Sequence, residues 1–358
     1  MADQALAALQ DRIRAAAAAM QPLVICGGGT KTFYGESCVG ERVETTTVAG
    51  IVAYAPNELV ITARGGTLLA EIELAMAEHQ QYLAFEPPRF AAGGTLGGAI
   101  ATGLSGPRRP YAGAARDFVL GLRIVDGTGE ALTFGGRVMK NVAGFDVSRL
   151  QTGALGTLGV ITEVSLKCLP QSKAEATVVQ ACAVDESIRR VNVWGGKPLP
   201  LSATCYWNGR LWVRLSGAES AVSAAMQSIG GDRIEHAQEF WESVRDHAHP
   251  FFVAAQREDK ALWRLSVKST APHADLEGEQ LIEWGGALRW LVTAKDADRA
   301  PIRVWAKSSG GHATLFRGGN RSGVFTPLDA TIATLHKRLK ATFDPHGIVN
   351  RGRLYADF

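Results

Sequence analysis

Residues 91–98 read Ala91-Ala92-Gly93-Gly94-Thr95-Leu96-Gly97-Gly98, and residues 153–163 read Gly153-Ala154-Leu155-Gly156-Thr157-Leu158-Gly159-Val160-Ile161-Thr162-Glu163. Between these clusters lie Ser105-Gly106-Pro107-Arg108-Arg109-Pro110-Tyr111, then Arg116-Asp117, then Met139-Lys140-Asn141-Val142-Ala143-Gly144-Phe145-Asp146. Glycine has no Cβ, so its backbone N–H can approach an anion directly, and a positive φ costs it little. Each glycine pair alone is consistent with a tight turn of a β-rich domain. Taken together, and with few acidic residues inside the clusters, the set points to backbone wrapped around a large anionic ligand.

A third glycine cluster supports this. The apolar run Leu23-Val24-Ile25-Cys26 reads as a short buried strand and runs straight into Gly27-Gly28-Gly29-Thr30-Lys31. A strand that ends in consecutive glycines leaves several amides pointing one way, a nest for a pyrophosphate. The loop is neither a Walker A motif, because the GxxxxGK[ST] spacing is missing, nor a Rossmann GxGxxG opening a helix.

Composition narrows the class. The chain has 358 residues, 46% hydrophobic and 20% charged, which favours two domains with a core each. A net charge of +3, without a Lys/Arg run interleaved with aromatics, argues against nucleic acid. No apolar run has membrane-spanning length, so no transmembrane segment is expected. The alanine-rich start, Met1 to Met20, carries Asp3, Asp11, Arg12 and Arg14 and lacks a signal-peptide core. Cys26, Cys38, Cys168, Cys182 and Cys205 are odd in number and form no CxxC. A reducing, cytoplasmic setting follows, with no metal site on this chain and any iron–sulfur cluster carried by another.

In chain order, strands are expected at residues 43–47 and 59–63, and a helix from a Thr67 cap to about Gln80. A helix follows over 97–104. Strands at 119–125 and 132–134 flank an Asp126-Gly127-Thr128-Gly129 turn, and 159–169 forms another strand. From Ala174 glycine thins out and tryptophan becomes common. Strands at 178–183, 203–207, 211–215, 262–267, 288–293 and 313–316, with helices near 185–194 and 218–228, suggest an α+β unit with an antiparallel sheet. The segment Glu279 to Trp290 stands out as unusual. A last helix over 328–342 leads to a tail, Phe343 to Arg353.

The order of these segments resembles the FAD-binding (PCMH-type) domain of the family that includes vanillyl-alcohol oxidase and D-lactate dehydrogenase. Within it, Gly106-Pro107-Arg108-Arg109-Pro110 and Val138 to Asp146 resemble the FAD-binding E subunits of bacterial glycolate oxidase, nearly end to end. The resemblance implies an α+β fold class. A two-subdomain FAD-binding domain (1–170) is followed by an α+β cap domain (171–327), and a C-terminal helix and tail (328–358) return to the flavin domain. It also implies a pyrophosphate loop at Gly27, Gly28, Gly29, Thr30 and Lys31. Some relatives attach FAD through a His in this loop; none is present here, so the FAD is expected to be non-covalent. Further cofactor residues implied are Gly94, Thr95, Leu96, Gly97, Gly98, Ser105, Gly106, Tyr111, Gly113, Arg116, Asp117, Gly144, Gly156, Thr157, Gly159, Val160, Ile161 and Asn350. Ala154-Leu155 stand where related dehydrogenases carry Ser-Glu, and Arg351 where the family usually has Pro.

Oxidation of a 2-hydroxy acid needs a base for the hydroxyl proton while flavin takes the hydride. His312, after Gly310-Gly311, is the candidate base, against a structural role. Arg264 and Arg289 are candidate clamps for a carboxylate, or anchors of a sheet surface. His247-Ala248-His249 reads as solvated rather than metallated. Three functions fit. The first is the FAD subunit of a glycolate oxidase complex, beside a larger FAD subunit and an iron–sulfur subunit, cytoplasmic or peripheral to the inner membrane through those partners. The second is a flavin-bearing structural or electron-relay subunit of that complex without turnover of its own. The third, an NADPH-dependent reductase of nucleotide sugars on the same fold, has no pointer in the sequence.

Overall fold

A computed structural model describes residues 2–136 and 146–358. The chain forms two compact units: residues 1–104, 114–170 and 327–358, and residues 105–113 with 171–326. The nine residues Ser105–Gly113, which the sequence grouped with the first domain, therefore cluster with the second.

The first unit begins with the helix Ala2–Ala18. Its apolar residues Leu9, Ile13, Ala16 and Ala17 recur at helical spacing and are buried against Leu23, Val43, Val125, Val160, Ile348 and Val349. The buried strand Leu23–Cys26 pairs in parallel with Glu41–Glu44. It is also bridged in parallel to Val349, through Leu23 N to Ile348 O (2.7 Å) and Asn350 N to Leu23 O (2.9 Å). The tail is thus a backbone neighbour of the first strand.

Among the described residues, five antiparallel strands form this unit's larger sheet, in the order Ile51–Ala55, Val60–Arg64, Val160–Lys167, Val119–Val125, Ala131–Gly135. The central strand Val160–Lys167 is buried along most of its length and carries the helix Leu96–Thr102. That helix is capped by Thr95, whose side chain accepts from Gly98 N, and ends on Gly103 in the left-handed region at φ +61°. Asp126 Oδ1 closes the predicted turn by accepting from Thr128 N (2.9 Å) and Glu130 N (3.0 Å).

Thr67 is not a helix cap. The helix runs Leu69–Ala77 with Leu68 at its N-cap. Thr67 is fully buried, and its hydroxyl accepts from Gly50 N at 2.9 Å and donates to Gly50 O at 3.2 Å. A buried hydroxyl that satisfies a neighbouring loop is not available to a helix end.

The second unit is an eight-stranded antiparallel sheet. Its order is Asp232–Ile234, Ala174–Ala181, Arg210–Gly217, Leu201–Trp207, Glu279–Glu283, Leu288–Ala294, Lys260–Ser266, His312–Gly318. The unusual segment at Glu279 supplies a strand of this sheet. Val178, Leu211, Val213 and Leu215 pack under the helices Val184–Gly195 and Glu219–Ile229. Ala261, Trp263, Leu265 and Leu315 pack under Arg299–Ser308. His247 belongs to a separate aromatic cluster, stacked on Phe252 at 3.8 Å and meeting Trp290 edge-on at 4.8 Å.

Candidate cofactor site

The first unit holds a cleft lined by Val24 to Thr32, Tyr34, Cys38, Thr95, Gly98, Ala101, Thr102, Leu155, Asn350 and Arg353. Its enclosed volume is about 120 Å³. That is well below the ~300–1,000 Å³ of a pocket for a whole drug-sized ligand, so within this unit the cleft can seat only part of a dinucleotide.

The cleft's chemistry is that of an anion cradle. Among the described residues, none accepts a hydrogen bond from the amides of Gly28, Gly29 or Thr30. Gly28 is exposed and Gly29 and Thr30 are half-buried, so these amides are within reach of an anion in the cleft. The loop also has no room for side chains on its inner face. A Cβ on Gly28 would stand 1.6 Å from Gly93 O, and one on Gly27 2.5 Å from Thr95 Oγ1. Gly29 instead sits at φ +73° with open space around it, so here glycine answers a backbone requirement. Lys31 is buried beside the loop, its Nζ donating to Thr30 Oγ1 at 3.3 Å and lying 5.4 Å from the Phe90 ring. Donated amides, a cation and glycine-only contacts fit the diphosphate of FAD.

The structure brings together Gly27 to Lys31, Thr95, Gly98 and Asn350 of the residues singled out by sequence. Others in the first unit support its backbone. Gly94 O accepts from Leu69 N, Leu96 N donates to Thr67 O, and Gly97 N donates to Gly65 O. Gly156 is at φ +69°, where a Cβ would stand 2.8 Å from Asn350 Nδ2, and Thr157 O accepts from Lys340 Nζ at 2.8 Å. Gly159 abuts Val125 O, and Val160 and Ile161 are buried in the central strand. Asp117 Oδ2 accepts from Ala114 N at 2.9 Å, and Arg116 lies beside it in the same short helix. Gly144 and the rest of the 139–145 motif lie outside the described residues.

Asn350 fixes the cleft's floor. It is 5% exposed and sits in the left-handed region at φ +44°, a conformation asparagine tolerates. Its Oδ1 accepts from Ile25 N (2.7 Å) and its Nδ2 donates to Leu155 O (2.8 Å). Behind it, Lys340 Nζ meets Asp344 Oδ2 at 2.6 Å and donates to Thr157 O and Val349 O. Asp344 in turn accepts from Ile348 N and Val349 N. Burial pulls the Lys340 ammonium below its usual pKa, and the Asp344 carboxylate works against that.

Ser105, Gly106, Tyr111 and Gly113 lie in the second unit. Gly106 O accepts from Trp284 Nε1 at 3.1 Å, and Gly113 N donates to Arg109 O at 3.0 Å. Ser105 is half-buried. Tyr111 is pushed up to about 12 by burial, and its hydroxyl bonds the Thr204 side chain. Arg108 enters a polar network with Glu175 (2.7 Å) and Ser216 (3.2 Å). Burial alone would raise the Glu175 carboxyl, but the charges of Arg214 and Arg108 and the Ser216 hydroxyl hold it low.

Trp284, Gly285 and Gly286 form a turn with positive φ throughout, 55°, 63° and 98°. Gly285 N donates to Thr204 Oγ1 (2.8 Å), and Arg289 Nε donates to Gly286 O (2.6 Å). Arg289 also donates from Nη2 to Ala271 O at 2.8 Å, while its Nη1 is buried without a hydrogen bond. Burial lowers its guanidinium to about 10. Arg264 instead lies over the Trp284 ring at 5.1 Å, with Arg109 over the same ring at 4.4 Å. His312 starts the edge strand opposite Ser266 with its side chain exposed, and partial desolvation together with the Arg264 charge holds its imidazole below the usual range. His249 accepts from Phe251 N at 3.3 Å and caps the helix Pro250–Ala254.

Sequence reading missed Arg353, Tyr34, Cys38 and Thr102 in the cleft wall. The resemblance already brings the Phe343 to Arg353 tail back to the flavin domain, but it implies only Asn350 of that tail as a cofactor residue.

Residues 4–135 match the FAD binding domain family. The chain is 45% identical over 350 residues to the glycolate oxidase subunit GlcE of Escherichia coli (strain K12), covering 98% of this chain and 97% of that one. It is 32% identical over 140 residues to a D-lactate dehydrogenase of Anaerostipes hadrus, covering 39% of this chain and 29% of that protein. A solved structure of alkyldihydroxyacetonephosphate synthase superposes with a TM-score of 0.66 over 95% of this chain and 73% of its own, at 15% identity, a likeness of fold.

Proposed function

Because the chain belongs to the family of the glycolate oxidase subunit GlcE and carries an FAD binding domain, we propose that it is an FAD-bearing subunit of a complex oxidising glycolate to glyoxylate. The observation that carries this reading is the set of unspent amides at Gly28, Gly29 and Thr30, in a loop where Gly27 and Gly28 leave no room for a Cβ. Those amides and Lys31 hold the diphosphate, and Asn350 keeps the strand and the 155 loop at the spacing the diphosphate needs. When bound, FAD supplies hydride acceptance from the hydroxyl-bearing carbon and return of the electrons to an acceptor.

Within the second unit lie polar groups of the kinds that a 2-hydroxy acid calls for. His312, held below the usual imidazole range, is neutral at pH 7 and able to take the hydroxyl proton. Arg264 keeps a guanidinium over an aromatic face and can pair with a carboxylate. Arg289 has two of its N–H groups committed to backbone carbonyls and acts by fixing the 284–286 turn. That commitment favours a second reading, in which this subunit's flavin relays electrons and another subunit turns the substrate over. The partners are a larger FAD subunit and an iron–sulfur subunit. No helix among the described residues is long and apolar enough to cross a membrane, so a position at the inner membrane would come through those partners.

The test is co-expression with both partners, with flavin and iron counted per complex and glycolate-dependent dye reduction measured. Loss of turnover in His312→Gln with flavin content retained supports catalysis on this chain. Unchanged turnover in that variant and in Arg264→Met assigns the chain to the relay role, and a chain that takes up no FAD in the complex sinks both.

A further inference from the structure

One wall of the cleft is drawn from the far end of the chain. Arg353 lies in the tail beyond the helix Ala330–Phe343. Its Nη1 donates to Glu36 O at 3.1 Å and its Nη2 to Thr32 O at 2.7 Å. Its own carbonyl accepts from Glu36 N at 2.8 Å. Three hydrogen bonds therefore join one tail residue to both ends of the 32–36 turn, which directly follows the loop with unspent amides.

The seat is shaped for this contact. Gly35 is at φ +97°, and a Cβ there would stand 2.9 Å from both Arg353 O and Leu155 Cδ1. The tail that presents the arginine is itself folded. Gly352 N donates to Phe358 O (2.8 Å), Arg353 N donates to Asn350 O (3.0 Å), and Phe358 packs against His336 and Tyr355. A guanidinium that gives two N–H groups to neutral carbonyls keeps its full charge. Arg353 and Lys31 thus place two positive charges on the cleft lining.

We propose that Arg353 is a positioning residue of the FAD site: a C-terminal latch that pre-forms the 27–36 loop and adds fixed positive charge beside its amides. The proposal rests on the assignment of that loop to the diphosphate. Pre-forming the loop removes an ordering cost from binding, and the charge strengthens the field felt by an anion.

Apo-protein titrated with FAD, read by flavin fluorescence, gives the dissociation constants of the parent, Arg353→Met, Arg353→Lys and, as a tail control, Lys337→Ala, which removes the Lys337–Asp357 pair. Losing two hydrogen bonds from a charged donor should weaken FAD binding by about tenfold to a hundredfold in Arg353→Met. Arg353→Lys should recover part of the loss, because an ammonium keeps the charge but cannot span both carbonyls, and Lys337→Ala should match the parent. Added salt should weaken the parent more than Arg353→Met, a difference that a merely structural role would not produce. Amides 33–36 of the apo-protein should exchange faster in Arg353→Met. Should that variant fail to fold, Arg353→Lys carries the decision. FAD-induced exchange protection in the parent separates the two claims. Protection away from residues 27–32 overturns the diphosphate assignment, whereas protection there with parent-like FAD affinity in the arginine variants overturns the latch alone.

Discussion

The side-chain oxygen of Asn350 accepts a hydrogen bond at 2.7 Å from the amide of Ile25, 325 residues earlier in the chain. The first strand is therefore flanked by Glu41–Glu44 on one side and tied to the last segment on the other, and the other end of the same side chain holds Leu155 O. Replacing Asn350 by Asp exchanges the Nδ2 donor for an oxygen facing that carbonyl. Asn350→Asp should cost about 2 kcal/mol or more of stability and release FAD, measured by urea denaturation and by flavin retained on gel filtration. Unaltered stability would remove this residue from the frame of the cleft.

The glycines of the loop should not respond equally. A methyl on Gly28 meets backbone at 1.6 Å, whereas one on Gly29 meets nothing and pays only for φ +73°. Gly29→Ala should cost about 1–2 kcal/mol through the left-handed backbone, with FAD still bound at saturating concentration. Gly28→Ala should bind none. Visible absorbance of the purified variants checks the ranking, and the reverse order would show that the loop differs from the geometry described.

Lys340 and Asp344 form a buried ion pair, with side chains 8% and 0% exposed. Lys340→Met leaves the carboxylate without its cation and leaves Thr157 O and Val349 O without a donor. The expected loss is about 3–5 kcal/mol, seen as a lower unfolding midpoint. A double variant in which Asp344 becomes Asn should recover part of it, since the uncompensated charge is then gone.

Burial holds His247 well below the usual imidazole pKa, and the charges of Arg317 and Arg264 add to the effect; burial lowers His249 as well. A folded-state pKa depressed below the unfolded value means the unfolded chain binds the proton first. The stability these groups contribute is present above about pH 6.5 and falls as pH drops below it. Thermal unfolding between pH 8 and pH 5 should show that decline. His247→Asn, compatible with φ +58°, should start from a lower midpoint through lost stacking and decline less steeply. A pH-independent midpoint in the parent would contradict the placement of both rings.

Much of the fold was legible because local chemistry wrote it. The run Leu23 to Cys26 before three glycines, the Asp126-Gly127-Thr128-Gly129 turn and the β-branched run within 159–169 each name their own conformation. Thr67 misled because a buried hydroxyl can serve a cap or a distant loop, and only packing selects Gly50. His247 and His249 looked like a solvated pair, yet both are enclosed among aromatics contributed by segments far apart in sequence.

By itself the sequence determined the glycine loop that closes the first strand and the antiparallel character of the second unit, because glycine spacing and strand periodicity act over a few residues. Tertiary structure alone decided that Asn350 and Arg353 join residues 25, 32, 36 and 155, and that Ser105–Gly113 sides with the second unit. Those pairings depend on hydrogen bonds closed across hundreds of residues, and no local pattern specifies which distant carbonyl a side chain will find.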